Sequence, residues 1–195
     1  MQGRLMTPAE LDQALWALGR GAGITALVLL TVAVATGIVT RSGRPLGPWP
    51  RFGVSELHRT AALLGTALVG IHLLTLLADP HAQLRLVDFV VPFLGVYRPF
   101  WLGLGTLAVD LLAAVVVTSV LRHRLGPRPF RLVHWAAYGL WPIALIHGLG
   151  NGTDSGRPWL LAVAALCTCA VAGSVAWRVR RDFVEYDQVR ARTTR

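Results

Sequence analysis

The chain alternates long apolar segments with short polar or proline-rich connections. Most of the apolar segments approach the ~20 residues that a helix needs to cross a bilayer core about 30 Å thick. There are five of them, at Ile24–Val39, Leu57–Leu77, Phe100–Leu121, Phe130–Gly148 and Trp159–Ala176. The pattern therefore predicts an all-α integral membrane bundle of five transmembrane helices.

The first residues carry the signals of a helix start. Thr7, Pro8 and Glu10 are the residues of a capping box with proline at the first helical position. We expect residues 1–20 to form an amphipathic helix on the outer surface, or to extend the short first span. Residues 21–179 are then the transmembrane domain, and residues 180–195 form a basic cytoplasmic tail.

Composition agrees with a membrane location, because 54% of the residues are hydrophobic, only 15% are charged and the mean hydropathy is +0.53. The net charge of +9 comes from arginines that are concentrated in alternate connections and in the tail, which indicates topology rather than nucleic-acid binding. The positive-inside rule places the N-terminus outside and the C-terminus in the cytoplasm. We expect a multi-pass protein of the cell membrane, surrounded by lipid.

Four of the six histidines lie inside apolar segments, where an ionisable side chain is costly and usually functional. His58 and His72 are separated by fourteen residues in the second segment, and His134 and His147 by thirteen in the fourth. Each pair spans roughly 20 Å of helix. Because the second and fourth spans run in the same direction, His58 and His134 are predicted near the cytoplasmic boundary, and His72 and His147 near the outer one.

Two histidines at each of two depths suit the axial positions of two stacked haems. A zinc ion needs ligands that converge on one point, whereas the two histidines of one helix are about 20 Å apart. Ligation by two histidines fills both axial sites of iron and favours electron transfer. Two alternatives stay open. One is a non-redox transporter or assembly factor whose histidines bind protons or metal, and the other is a protein with a single haem.

The two spacings differ in helical register. Fourteen residues return His72 to within roughly 40° of His58, whereas thirteen leave His147 roughly 140° away from His134 on an ideal helix. Pro142 lies between the latter two and predicts a kink or local rewinding. Small residues near the ligands offer close approach of a macrocycle or ordinary helix packing, namely Ala61, Ala62, Gly65, Gly70 and Gly139.

The histidine pattern, together with the stretches Leu57–Thr60, Tyr97–Gly103 and Val133–Trp135, resembles the ferric reductase-like transmembrane domain of ferric reductases and NADPH oxidases. The resemblance implies that His58 and His134 ligate an inner b-type haem, and that His72 and His147 ligate an outer one. We expect Arg59 and Arg131 to pair with the inner propionates and Arg98 with the outer ones, unless these arginines only anchor the interface.

The resemblance also bears on the partners. Complete relatives have a cytoplasmic flavin and NADPH domain, and this sequence has no glycine-rich dinucleotide fingerprint. It is more similar to small bacterial members such as the haem-binding subunit of the methionine-sulfoxide reductase system. We therefore expect an electron-transfer oxidoreductase subunit with a separate cytoplasmic flavoprotein reductase or a membrane quinol as donor, and an acceptor on the outer side.

Two further expectations concern the connections. The apolar connection 78–99 is either an interfacial anchor or a lid over the cofactor of His72 and His147. The loop histidines His81 and His123 are expected to be solvated bystanders.

Overall fold

The computed structural model describes residues 7–42, 48–79, 82 and 84–180, so the predictions for His81 and for most of the basic tail lie outside the described residues. The described residues form seven α-helices and one 3-10 turn, Leu86–Phe89. The helices are α1 Pro8–Ser42, α2 Arg51–Ala78, α3 Pro99–Val120, α4 Arg122–Leu125, α5 Pro127–His134, α6 Ala137–Asn151 and α7 Pro158–Arg178.

Within the described part of the chain, five stretches are long and apolar enough to cross a membrane: α1, α2, α3, the α5–α6 stretch Pro127–Asn151, and α7. Large apolar side chains on these helices are exposed, among them Leu63, Leu74 and Leu166. Such exposure is what helices surrounded by lipid show, since lipid tails are as apolar as leucine. The predicted all-α, multi-pass membrane architecture is confirmed.

Helix α1 begins with the predicted capping box. The Thr7 backbone N–H and hydroxyl donate to Glu10 Oε2 at 2.8 and 3.0 Å, and the Glu10 backbone N–H donates to Thr7 Oγ1 at 3.3 Å. From Pro8 the helix continues for 35 residues to Ser42. The amphipathic stretch and the first apolar segment therefore form one helix, which gives the short segment a spanning length.

The chain divides into two compact units, and the first comprises Met1–Leu27 and Thr66–Ser155. Within it α3 packs closely against α6 and also contacts α5 and the 3-10 turn. The side chains buried in this unit include Ala108, Leu112, Leu140 and Trp141.

The second unit comprises Val28–Gly65 and Gly156–Arg195. It contains the end of α1, the beginning of α2 and all of α7. Its most deeply buried large side chains are Ile38 and Val54, each 1% exposed. Cys167 is buried in this unit as a free thiol, whereas Cys169 is exposed, so Cys167 serves as a small core residue.

The connection 84–98 folds onto the beginning of α3. The Thr106 hydroxyl donates to the Asp88 carbonyl at 2.6 Å, and Phe93 lies against Gly103. Arg85 donates to both carboxylate oxygens of Asp88 at 2.9 Å. The hydrogen bond from the Arg85 side chain holds the pKa of Asp88 below its ordinary value, so the carboxylate stays ionised.

Replacing Thr106 by valine should loosen this connection, because the hydroxyl bond to Asp88 is lost while the shape of the side chain is kept. We expect about 0.5–1.5 kcal/mol of destabilisation in thermal unfolding in detergent, with faster proteolysis within residues 84–98. Thr168→Val is the matched control, since that hydroxyl donates to the Ala164 carbonyl of its own helix. Equal proteolysis rates in the two variants would show that the Thr106 bond does not hold the connection.

Candidate functional site

The four membrane histidines lie on three helices. His58 and His72 lie on α2, His134 is the last residue of α5, and His147 lies on α6. All four side chains are half-buried. His123 in α4 is exposed, as expected for a loop histidine.

Three of these imidazoles donate a hydrogen bond to a backbone carbonyl of a neighbouring helix. His58 Nδ1 lies 2.8 Å from the Ala33 oxygen, His72 Nδ1 lies 2.8 Å from the Gly19 oxygen, and His147 Nδ1 lies 2.8 Å from the Trp101 oxygen. A carbonyl oxygen only accepts, so Nδ1 must carry the proton in each ring. In the neutral imidazole Nε2 then keeps its lone pair, which is the form that binds a metal.

A glycine lies beside each of these three bonds. A Cβ added at Gly23 or at Gly37 would come within 3.2 Å of the ring of His72 or His58 respectively. At Gly105 a Cβ would lie 2.6 Å from His147 Cε1. Each ring therefore occupies space that any larger residue would take.

Gly19, whose carbonyl accepts the bond from His72, also lies where a side chain would not fit. A Cβ at Gly19 would lie 2.7 Å from the Thr75 hydroxyl, and Thr75 is buried on α2. The Thr75 hydroxyl donates to the His72 carbonyl at 2.8 Å. The first part of α1 and the last part of α2 thus approach closely where His72 binds the Gly19 carbonyl.

The predicted pairs differ in how they are placed. His72 and His147 belong to the same compact unit. His58 and His134 belong to different units. Within its own unit, the His134 ring lies 5.1 Å from the Phe130 ring.

The chain is tightened between His134 and His147, one turn before Pro142. Ala136, Tyr138 and Gly139 each donate to a carbonyl three residues back, at 2.9–3.0 Å. Such turns rotate about 120° per residue instead of about 100°. Three tightened residues therefore add roughly 60° and reduce the expected mismatch of about 140° to about 80°. The predicted rewinding exists, and it precedes Pro142, which itself lies inside α6.

The three arginines predicted as propionate partners are all exposed. Arg59 lies 4.0 Å from Glu56, a neighbour on the same helix. Arg98 is the N-cap of α3 in the left-handed region, with φ of 42°. Arg131 lies on α5, one turn before His134. Their role as propionate partners stays a prediction.

Sequence reasoning missed an ion pair in the first unit. Arg20, the residue after Gly19, lies 2.5 Å from Asp154, which follows α6. The Arg20 guanidinium also lies 4.2 Å above the Trp16 ring. The sequence could have predicted the contact between Trp16 and Arg20, because residues four apart share a helix face. It carries no comparable signal for the ion pair with Asp154.

The small residues noted near the histidines include three glycines on α2 and α6. A Cβ at Gly70 or Gly139 would meet no described atom within 4 Å, and Gly65 faces Leu30. The glycines in contact with the rings lie instead on α1 and α3. Among the described residues, no three His, Cys, Asp or Glu side chains converge as they would around a zinc ion.

A family model described as "Ferric reductase like transmembrane component" matches residues 22–145, which include three of the four membrane histidines, His58, His72 and His134. A search of curated proteins and a search of solved structures each found no match.

The carbonyl bonds predict a defined tautomer. In haem-free protein labelled with ¹⁵N-histidine, we expect His58, His72 and His147 to carry the proton on Nδ1, since each donates to a carbonyl. Nitrogen NMR in detergent distinguishes the two tautomers, and the His58→Ala, His72→Ala and His147→Ala variants assign the three signals. Protonation of Nε2 at the three membrane histidines would contradict the geometry.

Proposed function

Because the chain belongs to the ferric reductase-like transmembrane family, we propose that it is a membrane electron-transfer subunit that holds two b-type haems. His72 and His147 would ligate one haem, and His58 and His134 the other. The support for the first pair is its location in one unit. The support for the second is the sequence spacing and the family resemblance.

The single observation that carries the proposal is the hydrogen bond from Nδ1 to a backbone carbonyl that His58, His72 and His147 each make. Each Nδ1 donates to a carbonyl, which leaves Nε2 as the ligand atom and increases its basicity. The donor set suits haem iron, which takes imidazole as an axial ligand. The residues present therefore fit the group.

The protein's residues have three tasks in this proposal. The histidines bind and orient, the apolar helices exclude water, and the exposed arginines Arg59, Arg98 and Arg131 neutralise propionate charge. Bound haem would supply reversible one-electron chemistry. The connection 84–98, packed on α3 beside Trp101, would limit access from the outer side as a lid.

The arginine distribution supports an orientation in the membrane, and the proposed direction of transfer is from the cytoplasmic side to the outer side. With the N-terminus outside, His58 and His134 lie on the cytoplasmic side, next to a reduced flavoprotein or quinol donor. His72 and His147 then lie next to an acceptor on the outer side. Ferric chelates, oxygen or a redox partner protein are the acceptor classes that this placement allows.

Haem-replete expression and purification should give b-type bands in a reduced-minus-oxidised spectrum, with about two haems per chain by pyridine haemochrome assay. We expect alanine substitution of His72 or His147 to remove about half of the haem, because one axial ligand is lost. His123→Ala is the matched control, since that histidine is exposed on α4. It should keep the full haem content.

The outcome that would contradict the proposal is wild-type protein without b-type bands. If that protein instead binds zinc or protons through His72 with no spectral change, it supports a non-redox transporter or assembly factor. A ratio of one haem per chain that is unaffected by one histidine pair would indicate a single-haem protein.

A further inference from the structure

The three glycines beside the histidines occupy the same position relative to the carbonyl that each histidine binds. Gly23 follows Gly19 by four residues, Gly37 follows Ala33 by four, and Gly105 follows Trp101 by four. We call each combination of a carbonyl at position i that accepts a hydrogen bond from a histidine, and a glycine at position i+4, a carbonyl notch. The notches serve His72, His58 and His147 respectively.

Helix geometry explains why the spacing is four. The Cα–Cβ bond of a helical residue tilts toward the N-terminus, so its side chain covers the turn before it. The side chain at position i+4 therefore shields the carbonyl of residue i. Glycine removes the shield while its own N–H still donates to that carbonyl along the helix. The second lone pair of the oxygen is left for an imidazole from the next helix.

We propose that Gly23, Gly37 and Gly105 are positioning residues that set the orientation, tautomer and basicity of three haem-ligand histidines. This inference rests on the proposed function and adds residues on α1 and α3 to a site whose proposed ligands lie on α2, α5 and α6. The glycines act through the histidines, because each keeps a carbonyl open to Nδ1.

The arrangement repeats along α1 with the spacing of the ligands themselves. Fourteen residues separate Gly23 from Gly37, and fourteen separate His58 from His72. In an antiparallel pair of helices, equal spacings allow the same contact to form twice. The equal spacing of the glycines and the histidines in the sequence therefore matches the two contacts in the structure.

Helix α3 has one notch. A second notch, for His134, would need a glycine thirteen or fourteen residues after Gly105, and both positions carry a hydroxyl residue instead. Thirteen residues after Gly105 stands Thr118, whose hydroxyl donates to the Ala114 carbonyl at 2.7 Å. Fourteen residues after it stands Ser119, whose hydroxyl donates to the Val115 carbonyl at 2.6 Å. The proposal therefore concerns the ligands His58, His72 and His147, and not His134.

Alanine at each notch glycine tests the proposal, and the expected clash with the histidine ring is more severe at Gly105 than at Gly23 or Gly37. Gly105→Ala places a Cβ 2.6 Å from His147 Cε1, so the ring must leave the Trp101 carbonyl. Haem affinity should then fall roughly ten- to hundredfold, as when an outer-shell partner of a ligand is lost. Gly23→Ala and Gly37→Ala bring the Cβ to 3.2 Å from the ring, so these variants should keep their haem.

The milder variants have a readout that a purely structural role would not change. A displaced ring loses its bond to the carbonyl, and the imidazole becomes a less basic ligand. A weaker donor stabilises ferric iron less, so the midpoint potential of one haem should rise while the other keeps its value. Gly21→Ala on α1 and Gly173→Ala on α7 are the matched controls, since a Cβ at either meets no described atom within 4 Å.

The outcomes separate this inference from the proposed function. Haem-loaded protein whose three notch variants match the controls in haem content and potentials would overturn the inference alone. If Gly105→Ala does not fold, the potentials of the Gly23→Ala and Gly37→Ala variants decide. If wild-type protein binds no haem, the proposed function fails. Nitrogen NMR of the same variants then decides, because an unchanged Nδ1 proton at each histidine would overturn the notch role.

Discussion

The interaction on which the site depends is the hydrogen bond from a histidine Nδ1 to a helix carbonyl. Within the hydrocarbon region water is absent, so a polar ring must find its partner inside the protein. Bonds of this kind between membrane helices contribute about 0.6–2 kcal/mol each. Their larger effect here is chemical, because the bond at His58, His72 and His147 leaves Nε2 with the lone pair that can bind a metal.

This bond can form only where two helices approach closely. They can approach closely because a glycine, which has no side chain, lies at each contact. Gly19 shows both requirements at once, because its carbonyl binds His72 while its Cα lies against the Thr75 hydroxyl. At Gly105 the same requirement brings α3 close to His147 of α6. The beginning of α3 is also the surface onto which the connection 84–98 folds, through Asp88 and Thr106. Ligand orientation and cover over α3 thus share one helix.

The spans and the capping box at Thr7 could be predicted from the sequence, because each depends on residues of one segment. The sequence also predicted one helix for His134 and His147, whereas they lie on α5 and α6. The notches could not be predicted from any single segment, because each of the α1 glycines is required by a histidine on another helix, α2. Small residues were sought on the ligand helices, whereas Gly23 and Gly37 lie on their neighbour. The equal spacing of fourteen residues was the available signal. A rewinding was predicted at Pro142, and the tightened turn lies before that residue, at Ala136–Gly139.

The central claim is that paired histidines provide both axial ligands through Nε2. Low-temperature electron paramagnetic resonance of the oxidised, haem-loaded protein tests it most directly, because two imidazoles in the axial positions give low-spin ferric iron. The account predicts only low-spin ferric signals, from two distinguishable haems. A dominant high-spin ferric signal, which indicates an iron with an open or weakly filled axial position, would contradict it.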